Sequence, residues 1–280
     1  MLASQSMPTP SMPTSSHPIC RTCGVQYDAP RPDCQICLDE RQYIGWGGQQ
    51  WTSLDDMRVQ GFHGYLAEEG PGVVGIGCEP SFAIGQRALL LRSEHGNVLW
   101  DCITYLDDQM VAAVQNLGGI SAIAISHPHF YGAMAEWSAA FDAPVFVHAA
   151  DRQWVCRPGK WVSFWEGDTH TIAPGMTLIN AGVHFSGGTV LHWEAGGGRP
   201  AAVFSGDIFQ VVMDRNWVSF MYSYPNLIPE RRSTVRRALK LLEPYTFERI
   251  YGAWLGRVVQ SNGAEALQRS AQRYLEYTSD

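Results

Sequence analysis

A layered α/β or α+β sandwich is the fold class this sequence predicts, and three observations predict it. From about residue 52 short apolar runs of strand character alternate with runs of helical spacing. In the second half hairpin patterns dominate, until two helical runs close the chain. The 280 residues are 45% apolar and 17% charged, enough for one sizeable core. Strand–helix alternation builds a helix-covered sheet and hairpins add antiparallel strands, so stacked layers accommodate both.

Along the chain, residues 1–18 ("MLASQSMPTPSMPTSSHP") are rich in Ser, Pro and Thr and are expected to form a disordered tail. They lack the charged start and apolar stretch of a secretory signal. Residues 19–51 carry four cysteines, and residues 52–280 read as one domain. "RALLLRSEHGNVLWDCITY" reads as two strands around a turn at His95-Gly96-Asn97. In "DDQMVAAVQNLGG", Met110, Val111, Val114 and Leu117 share a helix face, with Asp107 or Asp108 to cap its start and Gly118 its end. "ISAIAIS" predicts a strand buried on both faces. A helix over 133–141 follows, then a strand at "APVFVHA". "MTLINAGVHF", "TVLHWEA" and "PAAVFSGD" predict further strands, the last two joined at Gly196-Gly197-Gly198. Helices after Pro229 and Gly263 complete the order.

Charge narrows the partners. A net charge of −7 argues against a nucleic-acid or anionic-membrane partner, which needs a basic face. The basic run Arg231, Arg232, Arg236, Arg237 and Lys240 lies opposite Val235, Leu239 and Leu242 at helical spacing, so a solvated helix face is expected. No run approaches the ~18 apolar residues of a membrane span. Seven cysteines, four in CxxC pairs, fit metal ligation in a reducing, cytoplasmic setting better than a disulfide framework.

Cys20-x-x-Cys23 and Cys34-x-x-Cys37 can fold as two tight turns with four sulfurs facing inward. Zn²⁺ suits such a tetrahedron, with redox chemistry or a rubredoxin-like iron as the alternatives. Four thiolates close the site, so a structural zinc is expected, and in so short a segment the metal would supply folding energy. Cys78, Cys102 and Cys156 have no partner spacing and read as small buried hydrophobes.

"AISHPHFYGAMAEW" raises the question of a second site. In an extended segment His127 and His129 point the same way, and Pro128 disfavours helix at His127. Alone, the pair fits a structural role as well as a metal. His184 near the end of "MTLINAGVHF" and Asp207 at the end of "PAAVFSGD" also stand where apolar strands stop, a recurrent way to gather a site. His148, His170 and His192 lack complementary spacing and read as ordinary hydrogen-bonded histidines; His63 could line a site mouth. The aromatic stretch with Trp217, Phe220 and Tyr222 reads as core or as a substrate wall.

The strand ending in His-x-His, the later Gly-x-His with Ser-Gly-Gly behind it, the hairpin strand ending in Ser-Gly-Asp, and "VLWDC" with Asp101 resemble the metallo-β-lactamase-fold superfamily over roughly residues 60–260. The resemblance implies a four-layer αββα sandwich, with a small N-terminal zinc-ribbon-like segment ahead of it here, and hydrolysis as the commonest chemistry. It matches His127, His129 and His184 to the ligands of the first metal and Asp207 to the carboxylate that often bridges two. The pattern departs at Tyr131 and Gly132, where the family continues Asp-His, and "RIYGAWLGR" lacks a late histidine. One active-site ion, Zn or Fe, is therefore expected, and Tyr131→Asp with Gly132→His is expected to raise second-metal occupancy. The resulting expectation is a single-metal hydrolase of a small-molecule ester, thioester, lactone or phosphodiester. In it Asp207 serves as base or orienter and Tyr131 as oxyanion donor. The alternative is a non-catalytic metal- or ligand-binding protein on the same fold.

Overall fold

The structure, a computed structural model, describes residues 15–279. The expected tail therefore lies largely outside the described residues. Within reach of it, Ser15 is buried and its hydroxyl donates to Glu136 Oε1 at 2.6 Å.

Two sheets form the centre. The first contains β1 (His63–Gly70), β2 (Val73–Glu79), β3 (Ala88–Leu91), β4 (Val98–Trp100), β5 (Ala122–Ala124), β6 (Val145–His148) and β7 (Val162–Trp165), in that spatial order. Its first four strands pair antiparallel and the remainder parallel. The second contains β8 (Thr169–Ala173), β9 (Met176–Asn180), β10 (Thr189–Trp193), β11 (Ala202–Gly206), β12 (Arg249–Gly252) and β13 (Val258–Val259), again in chain order. Here β11 and β12 are the parallel pair.

Side-chain alternation explains the layering. Leu89 and Leu91 of β3, with Val98 and Trp100 of β4, meet Leu178, Leu191 and Phe204 of the second sheet. Leu90 and Leu99 point the other way, toward α2 (Asp108–Asn116) and α3 (Met134–Phe141). Period-two strands with both faces apolar must be covered on both sides. On the far face of the second sheet, Ile179, Val190 and Val203 pack against α4 (Arg232–Leu242) and α5 (Gly263–Tyr277). Four layers, αββα, result. Asp107 rather than Asp108 caps α2, accepting from Met110 N at 2.7 Å. Along α4 and its cap, Val235, Ala238 and Leu242 are buried and Leu239 half-buried, while Arg231, Arg236, Arg237 and Lys240 are exposed and Arg232 is half-buried. The first helix in chain order, α1 (Leu54–Val59), follows the cysteine segment.

That segment is less autonomous than its length implies. Val25, Tyr27 and Ile36 share one buried cluster with Leu90, Leu99 and Trp137. The segment is thus not left to a metal alone for its order; it packs on the outer face of the first sheet.

Candidate metal centre

Both sheets deliver their polar residues to one edge. Asp101 follows β4, His127 and His129 follow β5, and Asp207 follows β11. His127 is extended, but Pro128–Phe130 forms a 3₁₀ turn, so the expected continuous extended pair is not what brings the histidines together. The turn does so instead, with ring centroids 5.1 Å apart. His184 lies beyond β9 in a loop, with a left-handed φ of 67°. Its ring stands 4.9 Å from each of the other two.

The nitrogens facing inward can be assigned. His184 Nδ1 lies 2.8 Å from the Tyr222 carbonyl, which only accepts, so Nδ1 carries the proton and Nε2 offers a lone pair. This Nε2 is 3.1 Å from His129 Nδ1. His127 Nδ1 is bonded to Ser126 Oγ at 2.9 Å, which leaves its Nε2 facing Asp207 Oδ1 at 3.2 Å. Two nitrogens bound ~2.0–2.1 Å from one tetrahedral ion sit roughly 3.3 Å apart, close to these separations. The three histidines each offer one nitrogen within 4.8 Å of the others.

Electrostatics agrees with ligation. Burial pushes His127 and His129 well below the usual imidazole range, with help from the neighbouring imidazoles and Arg41, and lowers His184 to about 4. All three are neutral lone-pair donors near pH 7, so the 3.2 Å contact of His127 with Asp207 is not an ion pair. Burial, then the nearby Asp101, raises Asp207 well above the carboxylate range. His127 Nε2 and Asp207 Oδ1 are buried and make no hydrogen bond. A divalent cation between them would satisfy both. The residues present therefore fit an ion.

The cysteines also converge. Cys20 Sγ is 3.7 Å from Cys37 Sγ, and Cys23 Sγ is 3.6 Å from Cys34 Sγ. Four sulfurs ~2.3 Å from a tetrahedral zinc lie about 3.8 Å apart. Hydrogen bonds from Cys23, Cys34 and Cys37 draw Cys20 down, and contact with Cys20 pushes Cys23 and Cys37 up. Among the described residues, these four cysteines and the three histidines are the groups that could hold a metal.

A model of the metallo-beta-lactamase superfamily matches residues 83–254 of this chain. The chain belongs to the metallo-beta-lactamase superfamily. It is 48% identical over 262 residues to the uncharacterized protein YmaE of Bacillus subtilis (strain 168), covering 92% of this chain and 95% of that protein. Among solved structures it resembles the metallo-beta-lactamase DIM-1 with a TM-score of 0.57 at 12% identity, over 78% of this chain and 98% of that one. VMB-1 gives the same TM-score and identity, over 78% and 99%. A metallo-beta-lactamase of Cronobacter sakazakii gives 0.50 at 18%, over 76% and 94%. At such identities these structures establish the fold alone.

Within this metallo-beta-lactamase fold, the departures from the family pattern have structural causes. Tyr131 ends the 3₁₀ turn, and with three residues per turn it cannot share a side with His129. Its buried hydroxyl faces the Asp151 carbonyl at 3.5 Å, and among the described residues no hydrogen bond or ring contact joins it to the histidines. Burial raises its phenol well above the usual range. The expected oxyanion donor is thus turned elsewhere. Gly132 has a φ of 47° and backbone atoms of Ile103 where a Cβ would stand. Trp254, in the segment without a late histidine, packs edge-on against Phe130 and donates to the Ile84 carbonyl at 2.9 Å.

Other expectations resolve individually. His148 bonds the Gly167 carbonyl, His192 bonds the Thr246 carbonyl, and His170 stacks on Trp165. His63 sits across the β1–β2 hairpin from Glu79, not at the site. Phe220 is core, against Phe209 and Tyr274. Tyr222 reaches the site through its carbonyl. Sequence reasoning missed Glu230, whose Oε2 accepts from His184 N at 2.9 Å, and Arg41, which donates to the His184 carbonyl at 3.3 Å. No local pattern marks either.

Proposed function

We propose that this protein is a metal-dependent hydrolase with one active-site ion, Zn or Fe, held by His127, His129, His184 and Asp207. The observation that carries the reading is the pair of buried, unpartnered atoms, His127 Nε2 and Asp207 Oδ1, beside two further imidazole nitrogens. Bound there, a divalent ion lowers the pKa of a water and polarises an acyl or phosphoryl oxygen. The three neutral imidazoles hold it, and Tyr222 and Ser126 fix two of the rings in orientation. Asp207, whose Oδ1 receives no hydrogen bond, would complete the ligand set through that oxygen and leave its second carboxylate oxygen to orient the attacking water or take its proton. Phe130 and Phe185 pack against His127 and exclude bulk water. The substrate class is a small-molecule ester, thioester, lactone or phosphodiester. Unpaired cysteines suit a reducing, cytoplasmic setting for this activity.

One observation favours a second reading, a metal- or ligand-binding protein without turnover. All four site residues are buried, none above 3% exposed. Zinc- or iron-loaded protein assayed against the four substrate classes, alongside His184→Ala, separates the two. Turnover lost in the variant supports hydrolysis. A fully loaded protein inert toward every class supports the binding reading.

A further inference from the structure

We propose that the four-cysteine segment is a positioning element for the histidine centre, acting through Gln26 and Arg41. The inference rests on the reading that the histidines hold an ion. It goes further in making the geometry of that centre depend on a metal bound elsewhere.

The segment grips both ligand-bearing loops. On one side, Gln26 N donates to the Gly132 carbonyl at 3.0 Å, immediately after the turn that carries His127 and His129. Arg157 Nη1 locks this contact by donating to Gln26 Oε1 and to Glu136 Oε1 of α3, each at 2.6 Å. On the other side, the chain leaves the second CxxC turn through Leu38 N to Cys34 O at 3.0 Å and Asp39 N to Ile36 O at 3.3 Å. Two residues later Arg41 reaches His184.

The geometry makes Arg41 a brace. Its Nε and Nη2 grip Asp39 Oδ1 and Oδ2 at 2.5 and 2.8 Å, a two-point fork that fixes the guanidinium plane. Nη1 is left to donate to the His184 carbonyl at 3.3 Å, and the guanidinium lies 3.9 Å over the Phe185 ring. All three nitrogens are engaged, so Arg41 is not a free cation for substrate. It is a positioning residue.

His184 needs such support. A left-handed φ in a non-glycine residue is strained and persists only where the surroundings over-determine it. Three contacts do so: Glu230 on its N–H, Tyr222 on its Nδ1 and Arg41 on its carbonyl. The strap also braces the Tyr222 loop, because Ser223 Oγ donates to the Arg41 carbonyl at 3.1 Å and Asn226 Nδ2 to the Glu40 carbonyl at 2.9 Å. Without an ion, the four buried sulfurs meet one another through weak S–H contacts, and Gln49 bridges the two turns by donating to Cys20 Sγ at 3.2 Å and accepting from Cys34 N at 3.1 Å. A tetrahedral ion fixes the turn from which the strap starts, and coupling of this kind is reciprocal.

The test uses the full-length protein loaded with cobalt(II) or zinc(II) alone. Chelator competition reads affinity at each site, and cobalt spectra separate thiolate from imidazole ligation. Arg41→Ala is expected to leave the cysteine site unchanged and weaken the histidine site about tenfold or more. Arg41→Lys should recover only part, since an ammonium cannot grip Asp39 by two points while reaching His184. Cys34→Ser should weaken the histidine site similarly, with little added loss when combined with Arg41→Ala. Histidine-site affinity within twofold of wild type in Arg41→Ala overturns the inference, whatever Cys34→Ser does to folding. A wild-type protein that binds at the cysteines but not at the histidines overturns the underlying reading as well.

Discussion

His127 Nε2 and Asp207 Oδ1 face each other at 3.2 Å inside the protein, and neither makes a hydrogen bond. Leaving such groups unpaired is costly, so the pair is suited to a third body between them. Metal content tests this directly. Total metal should be about two per chain, one at each ligand cluster. His127→Ala or His184→Ala should lower it by about one and leave the thiolate-bound ion in place. Both ions retained in either variant would remove the histidine assignment.

The Phe220 and Tyr222 pair divides the aromatic stretch. Phe220 is fully buried between Phe209 and Tyr274, so Phe220→Ala should cost about 3 kcal/mol or more. Tyr222 donates its hydroxyl to Glu40 near the surface. Tyr222→Phe should cost about 1 kcal/mol or less, because its carbonyl still serves His184. Chemical denaturation of both variants reads the difference, and equal losses would refute the division.

Much of the centre was legible because His127 and Asp207 each end an apolar strand, and a sheet edge is where strand ends meet. The cysteines were legible from spacing alone. The local path of His127–His129 was not: an x-Pro step disfavours helix at His127 but says little about the 3₁₀ turn beginning at Pro128. Arg41 and Glu230 carried no signal, since their contacts to His184 span 143 and 46 residues. Sequence periodicity records which face a side chain takes, not which distant loop it supports.

Asp151 supplies a pH dependence. Burial raises its carboxyl to about 7, Oδ1 accepts from Gly187 N at 2.9 Å, and Oδ2 is buried without a partner. In the unfolded chain the group ionises near ~4, so between pH ~4 and ~7 the folded state binds the extra proton. Stability from this group is intact below ~4 and is lost as pH rises toward 7, by about 4 kcal/mol at most. Asp151→Asn keeps the Oδ1 acceptor and removes the titration. The stability difference between variant and wild type should therefore shift in the variant's favour from pH 4 to 7. A difference independent of pH would show that Asp151 titrates normally.

Gly132 decides whether a second ion can be restored. Adding back the family residues, Tyr131→Asp and Gly132→His, would be the natural route, but the backbone forbids it. Any Cβ at Gly132 would stand 2.8 Å from the Ile103 carbonyl carbon and oxygen and 3.0 Å from Cys102 O. Its φ of 47° adds strain for any L side chain. The opposing loop cannot retreat freely, because Cys102 N bonds Phe130 O at 3.2 Å and Trp137 Nε1 bonds Ile103 O at 3.0 Å. An aspartate at 131 would bury a carboxylate in an apolar setting without a designed partner. Gly132→His, and even Gly132→Ala, should therefore destabilise the fold by about 1–3 kcal/mol or more, with no rise in metal content. Thermal unfolding and metal analysis of these variants check this. A Gly132→His protein that melts like wild type and binds one more ion would show that the second position is open, and the one-ion centre would have to be abandoned.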